Sequence, residues 1–64
     1  MASSREIAGR LEKEGWELAR QSGSHRQYKH PTRPGRVTLP HPVKDIPVGT
    51  LRSIYRQAGW AWPP

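Results

Sequence analysis

Near the start of the chain the apolar residues Ile7, Ala8 and Leu11 recur at helical spacing, while Arg10, Glu12, Lys13 and Glu14 occupy the remaining face. This pattern predicts a helix that buries one stripe. Ser3 followed by Glu6 forms a capping-box pair and Gly15 supplies a left-handed stop, so the helix is expected from about Ser4 to Glu14. Gly9 in its interior costs about 1 kcal/mol relative to alanine, which predicts close approach by the backbone of another element.

The period then shortens to that of a strand. Trp16-Glu17-Leu18-Ala19-Arg20 alternates, with Trp16 and Leu18 expected to face inward, and Arg36-Val37-Thr38-Leu39 repeats the pattern with Val37 and Leu39 inward. Between them a strand runs from His25 through Arg26-Gln27-Tyr28-Lys29-His30. Gln21-Ser22-Gly23-Ser24 reads as the first turn and Pro31-Thr32-Arg33-Pro34-Gly35 as the second. Consecutive short strands joined this way predict an antiparallel meander.

Pro40-His41-Pro42 breaks the ladder, and Asp45-Ile46-Pro47 reads as a helix entrance with an acid near the positive end of the dipole. Leu51, Ile54, Tyr55 and Ala58 then form an apolar stripe that Gly59 ends, before Trp60-Ala61-Trp62-Pro63-Pro64. The expected class is α+β, in the order αβββα, with both helices on one face of a three-stranded antiparallel sheet. The opposite sheet face is left open.

Alternation assigns residues to those faces. Tyr28 is the apolar member of the middle strand and points inward with Trp16, Leu18, Val37 and Leu39. His25, Gln27 and Lys29 therefore point outward, joined by Arg36 and Thr38 from the third strand and Glu17 and Ala19 from the first. Arg26 shares Tyr28's side near the strand start and is expected to emerge at the sheet edge. Trp60 and Trp62 are expected to pad a small core, with contact to a partner protein as the competing role.

Length and composition narrow the reading further. The 64 residues make a single domain, 1–64, and the absence of cysteine leaves packing alone to hold it. No apolar run approaches the ~20 residues that cross a bilayer, and the charged N-terminal segment has no signal-peptide core; the expectation is a cytoplasmic protein without a membrane partner. Eleven Lys and Arg against 5 Asp and Glu give a net charge of +6, which favours a polyanionic partner such as nucleic acid or an acidic protein. The acids are scattered as Glu6, Glu12, Glu14, Glu17 and Asp45, so no carboxylate pair suggests a metal, and no phosphate-loop or nucleophile motif suggests a cofactor.

His25 follows directly on the flexible Gly23-Ser24 turn. A lone histidine at a strand end is commonly a solvated surface residue. Imidazole also titrates near neutral pH, so it can take a proton from a ribose 2′-hydroxyl or give one to a departing 5′-oxygen, with Lys29, Arg26 or Arg36 holding the phosphate. Gly23 serves the turn or leaves room for a phosphate, and Ser24 caps the turn or binds substrate. His30, before Pro31, reads as a loop residue.

Taken in order, Gly15-Trp16, Gly23-Ser24-His25 with Tyr28, Val37-Thr38-Leu39-Pro40, Gly49-Thr50-Leu51-Arg52 and Gln57-Ala58-Gly59 resemble the HicA toxin family over nearly the whole chain. The resemblance implies a double-stranded-RNA-binding-domain-like fold. It also implies the toxin of a type II toxin-antitoxin system: a metal-independent mRNA endoribonuclease, needing no cofactor and neutralised by a HicB-type antitoxin. The family's functional histidine corresponds to His25, as general base or acid, and only His25 carries over; Lys29, Arg36, Arg26, Gly23 and Ser24 are the RNA contacts expected from the face and the turn read above. Many members separate a later histidine from the strand-three proline by a residue, whereas His41 here follows Pro40 directly, so no role carries over to it. A non-catalytic RNA-binding module of the same fold is the alternative.

Overall fold

The computed structural model describes residues 2–64, and its element order is α1 (Ser4–Lys13), β1 (Glu17–Ser22), β2 (His25–Lys29), β3 (Arg36–Pro40) and α2 (Val48–Ala58). The strands form one antiparallel sheet in the order β1-β2-β3. This is the expected αβββα arrangement, consistent with a double-stranded-RNA-binding-domain-like fold.

Both helices end by the same device. At α1 the Ser3 side chain accepts from the Glu6 amide while the Glu6 carboxylate accepts from the Ser3 amide, closing the capping box. The far end turns at Gly15 (φ +93°), with Gly15 N–H donating to Glu12 O and Trp16 N–H to Leu11 O. At α2, Gly59 (φ +76°) donates to Arg56 O and Trp60 to Tyr55 O. In each case a left-handed glycine reverses the chain and drops the next tryptophan onto the helix it has left, the Schellman pattern. Trp16 and Trp60 are thereby buried with Ile7, Leu11, Tyr28, Val37, Leu39, Ile46, Ile54 and Tyr55. Trp62 packs edge-on to Tyr55, so both tail tryptophans serve the core.

Three local expectations are corrected. Leu18 pairs with Tyr28 on the helix side of the sheet, yet it is 48% exposed. The helices pack chiefly over β3 rather than β1, so inward alternation at this edge strand points a side chain beyond their cover. Gly9 accommodates no neighbour, since a Cβ there would meet nothing within 4 Å. Helix α2 begins at Val48 with Pro47 at its N-cap and no acid in its first turn, so Asp45 lies before the turn where the dipole would favour it.

The β3–α2 connection is stitched to the N-terminus. Ser4 N–H donates to Val43 O, and Ile46 N–H donates to Ala2 O. These bonds hold Ile46 in the core at 2% exposure, where the sequence pattern had not placed it.

Candidate functional site

The uncovered sheet face is built from rungs of cross-strand partners, because paired residues share a face. Ser22, His25 and Pro40 make the first rung; Arg20, Gln27 and Thr38 the second; Glu17, Lys29 and Arg36 the third. His25, Arg20, Lys29 and Arg36 are all exposed. Rungs are separated by two residues, about 7 Å, so the third lies about 13 Å from His25.

His25 leads β2 because the loop before it is short. Ser22 pairs with His25 across Gly23 and Ser24. Gly23 has φ +57°, and the following Ser24 is not left-handed. A glycine first and an ordinary residue second is the requirement of a type II′ hairpin turn. A Cβ on Gly23 would touch nothing, so its need is conformational. Ser24 contributes its carbonyl, which accepts from His41 N–H at 2.7 Å and ties the hairpin to the end of β3.

The three histidines are in distinct states. Nε2–H of His30 donates to Glu14 O at 2.8 Å and its Nδ1 accepts from Thr32 N–H at 3.1 Å, with Trp16 packed edge-on. His30 is a brace between the β2–β3 loop and the end of α1. His41 Nδ1 lies 2.9 Å from Ser4 Oγ. The His25 ring, by contrast, makes no hydrogen bond among the described residues and is free to meet a ligand.

Of the sequence-derived contacts, Lys29 and Arg36 share the His25 face, on the third rung. Arg26 pairs with Leu39 on the helix side, half-buried, with its Nη1 donating to Tyr28 Oη at 3.4 Å. The structure therefore separates Arg26 from His25 by the thickness of the sheet.

Arg20 is the face residue that alternation missed. The β1–β2 register shifts between Leu18 and Arg20, so Ala19 is displaced from the ladder and Arg20 takes the place opposite Gln27. A bulge inverts the alternation beyond it. Nothing in Leu18-Ala19-Arg20 marks it, because small residues fit bulged and regular strands alike.

Electrostatically the face is largely unneutralised. Among the described residues the one ion pair is Arg10–Glu14, on α1. Glu17 stands opposite Lys29 and offsets part of that rung's charge, leaving Arg20 and Arg36 as the cations of the face with no acid directly opposite. No three His, Asp or Glu side chains among the described residues converge to hold a metal ion, and no described helix is long and apolar enough to cross a membrane.

Residues 4–60 match the family model described as the HicA toxin of bacterial toxin-antitoxin systems. A search of curated proteins found no match.

Proposed function

Because the chain belongs to the HicA toxin family, and is thus a toxin with an antitoxin as its partner, we propose that it is an endoribonuclease acting on mRNA through His25. The observation that carries this reading is the exposed, unpartnered His25 imidazole at the head of an open sheet face that also bears Arg20, Lys29 and Arg36. Phosphodiester cleavage within RNA needs a base at a ribose 2′-hydroxyl and positive charge at the phosphate. His25 Nε2 or Nδ1 accepts the 2′-hydroxyl proton, the 2′-oxygen bonds to phosphorus, and the bond to the 5′-oxygen breaks. Water protonates the departing oxygen. The products are a 2′,3′-cyclic phosphate and a 5′-hydroxyl.

Ser22 on His25's own rung and Arg20 and Gln27 one rung away are the nearest face residues able to donate hydrogen bonds to the reacting phosphate, with Lys29 and Arg36 on the next rung along the strand. Gly23 and Ser24 shape the hairpin that presents the imidazole. The scattered carboxylates support a reaction that needs no metal. A HicB-type antitoxin neutralises the toxin by covering the His25 face.

The non-catalytic RNA-binding reading draws on one observation, that no carboxylate or carbonyl among the described residues orients the His25 ring. Incubating the purified chain with RNA in the presence of chelator separates the two. Cleavage to cyclic-phosphate ends by the wild type, lost in a folded His25→Ala variant, supports the nuclease; intact RNA bound equally by both supports the binder.

A further inference from the structure

On the helix side of the sheet a recess of about 570 Å³ opens between α1 and the start of β2, lined by Arg5, Ala8, Gly9, Glu12, Arg26 and His41. Arg26 is half-buried, and its one hydrogen bond among the described residues runs from Nη1 to Tyr28 Oη at 3.4 Å; its Nε is closed off by protein without a partner, so the charge offered to the recess is that of the terminal nitrogens. Arg5 brings a second cation, and neither arginine is in an ion pair among the described residues.

His41 adds a fixed ring. Val43 N–H donates to Ser4 Oγ at 2.8 Å, and the same hydroxyl is hydrogen-bonded to His41 Nδ1 at 2.9 Å, which fixes the ring. With Nδ1 held by Ser4, Nε2 at the opposite edge of the ring has no hydrogen-bond partner among the described residues. Ser4 is 1% exposed, so water does not compete for this bond. Gly9 leaves the helix wall bare, since no atom lies within 4 Å of a Cβ placed there. Glu12 is the single carboxylate on the lining.

The recess lies at the same end of the sheet as His25. His41 N–H is bonded to Ser24 O, and His25 pairs with Pro40, the residue before His41. A strand leaving the His25 face around the hairpin end passes directly to this recess.

We propose that the recess is a second phosphate-binding site for the RNA strand, holding a backbone phosphate beyond the one at His25. Arg26 and Arg5 supply the charge and His41 Nε2 the oriented hydrogen bond. The proposal rests on the RNA reading above and gives Arg26 an RNA contact on the face opposite the reaction.

The test measures binding of a 2′-O-methyl RNA oligonucleotide, which cannot be cleaved, by fluorescence anisotropy over a range of salt concentrations. Arg26→Gln and Arg5→Gln should each weaken binding about tenfold at low salt and flatten the log–log salt dependence by about 0.7. His41→Ala should weaken binding through the loss of its ring hydrogen bond. Arg26→Lys should retain the slope. Affinity and slope unchanged in folded Arg5→Gln and Arg26→Gln overturn the site, even where antitoxin binding weakens, while leaving RNA cleavage at His25 standing. Should Arg26→Gln fail to fold, exposed Arg5 decides alone. A wild-type chain that neither binds nor cleaves RNA overturns the RNA reading and this site together.

Discussion

Replacing glycine by alanine at two positions of the same helix region should change stability in opposite directions. At Gly9, inside α1, the new methyl meets nothing within 4 Å, so the substitution acts through backbone entropy and helix propensity alone. The gain is about 0.8–1 kcal/mol, which for a domain of this size raises Tm by roughly 4–8 °C. At Gly15 the backbone sits at φ +93°, and a Cβ would lie 2.9 Å from His30 Nε2. The left-handed conformation costs a non-glycine residue about 1–2 kcal/mol. Displacing His30 also breaks its 2.8 Å bond to Glu14 O, a further loss of about 1 kcal/mol. Gly15→Ala should therefore be destabilised by about 2–3 kcal/mol, lowering Tm by roughly 10–20 °C. Thermal unfolding followed by tryptophan fluorescence reports both, since Trp16 lies beside Gly15. A destabilised Gly9→Ala would mean that something occupies the space above the helix. A neutral Gly15→Ala would refute the helix ending and the His30 brace.

Exposed Leu18 should tolerate Leu18→Thr with a change within about 0.5 kcal/mol, whereas Leu39→Ala, with 0% exposure, should cost about 2–5 kcal/mol in chemical denaturation. The Trp60 indole N–H bonded to Glu14, with Arg10 beside it, holds the Glu14 carboxyl below its ordinary value of 4.5 despite some desolvation. The stability this adds is fully present above pH 4.5 and is lost as pH falls through the lower folded value. Accordingly the Tm difference between wild type and Glu14→Gln should be largest near neutrality and shrink in acid; a pH-independent difference would disprove the linkage. Arg20→Gln should slow RNA cleavage and flatten the salt dependence of RNA binding by about 0.7, and unchanged kinetics would remove Arg20 from the phosphate path.

Local signals carried much of the fold. Ser3 with Glu6 and the Gly-Trp pairs at 15–16 and 59–60 are chemistry contained within a single helical turn, and the structure uses each where the sequence places it. Tyr28, as the apolar member of β2, fixed which way His25, Gln27 and Lys29 point. Alternation failed at β1 for two physical reasons: the register slips after Leu18, and the helices do not extend over that edge. Arg20 gained its place on the open face through the first of these, and Leu18 its exposure through the second.

The remaining features depend on residues distant in sequence. Ser4 meets His41 and Val43, and Trp60 reaches Glu14, through contacts that no periodicity encodes. Gly9 shows the converse difficulty. A helix-interior glycine suggested a close neighbour, and the structure shows open space instead, on the wall of the recess that also receives Arg26.

The central claim is that the open face cleaves RNA through one imidazole. The measurement that tests it most directly is the pH–rate profile of RNA cleavage by purified wild type and His25→Ala, with chelator present and folding verified by tryptophan fluorescence. The account predicts a wild-type rate that rises as an imidazole loses its proton, cyclic-phosphate ends on the products, and a loss of at least about a hundredfold in His25→Ala. Equal rates in the two proteins, or activity that disappears with chelator, would contradict it.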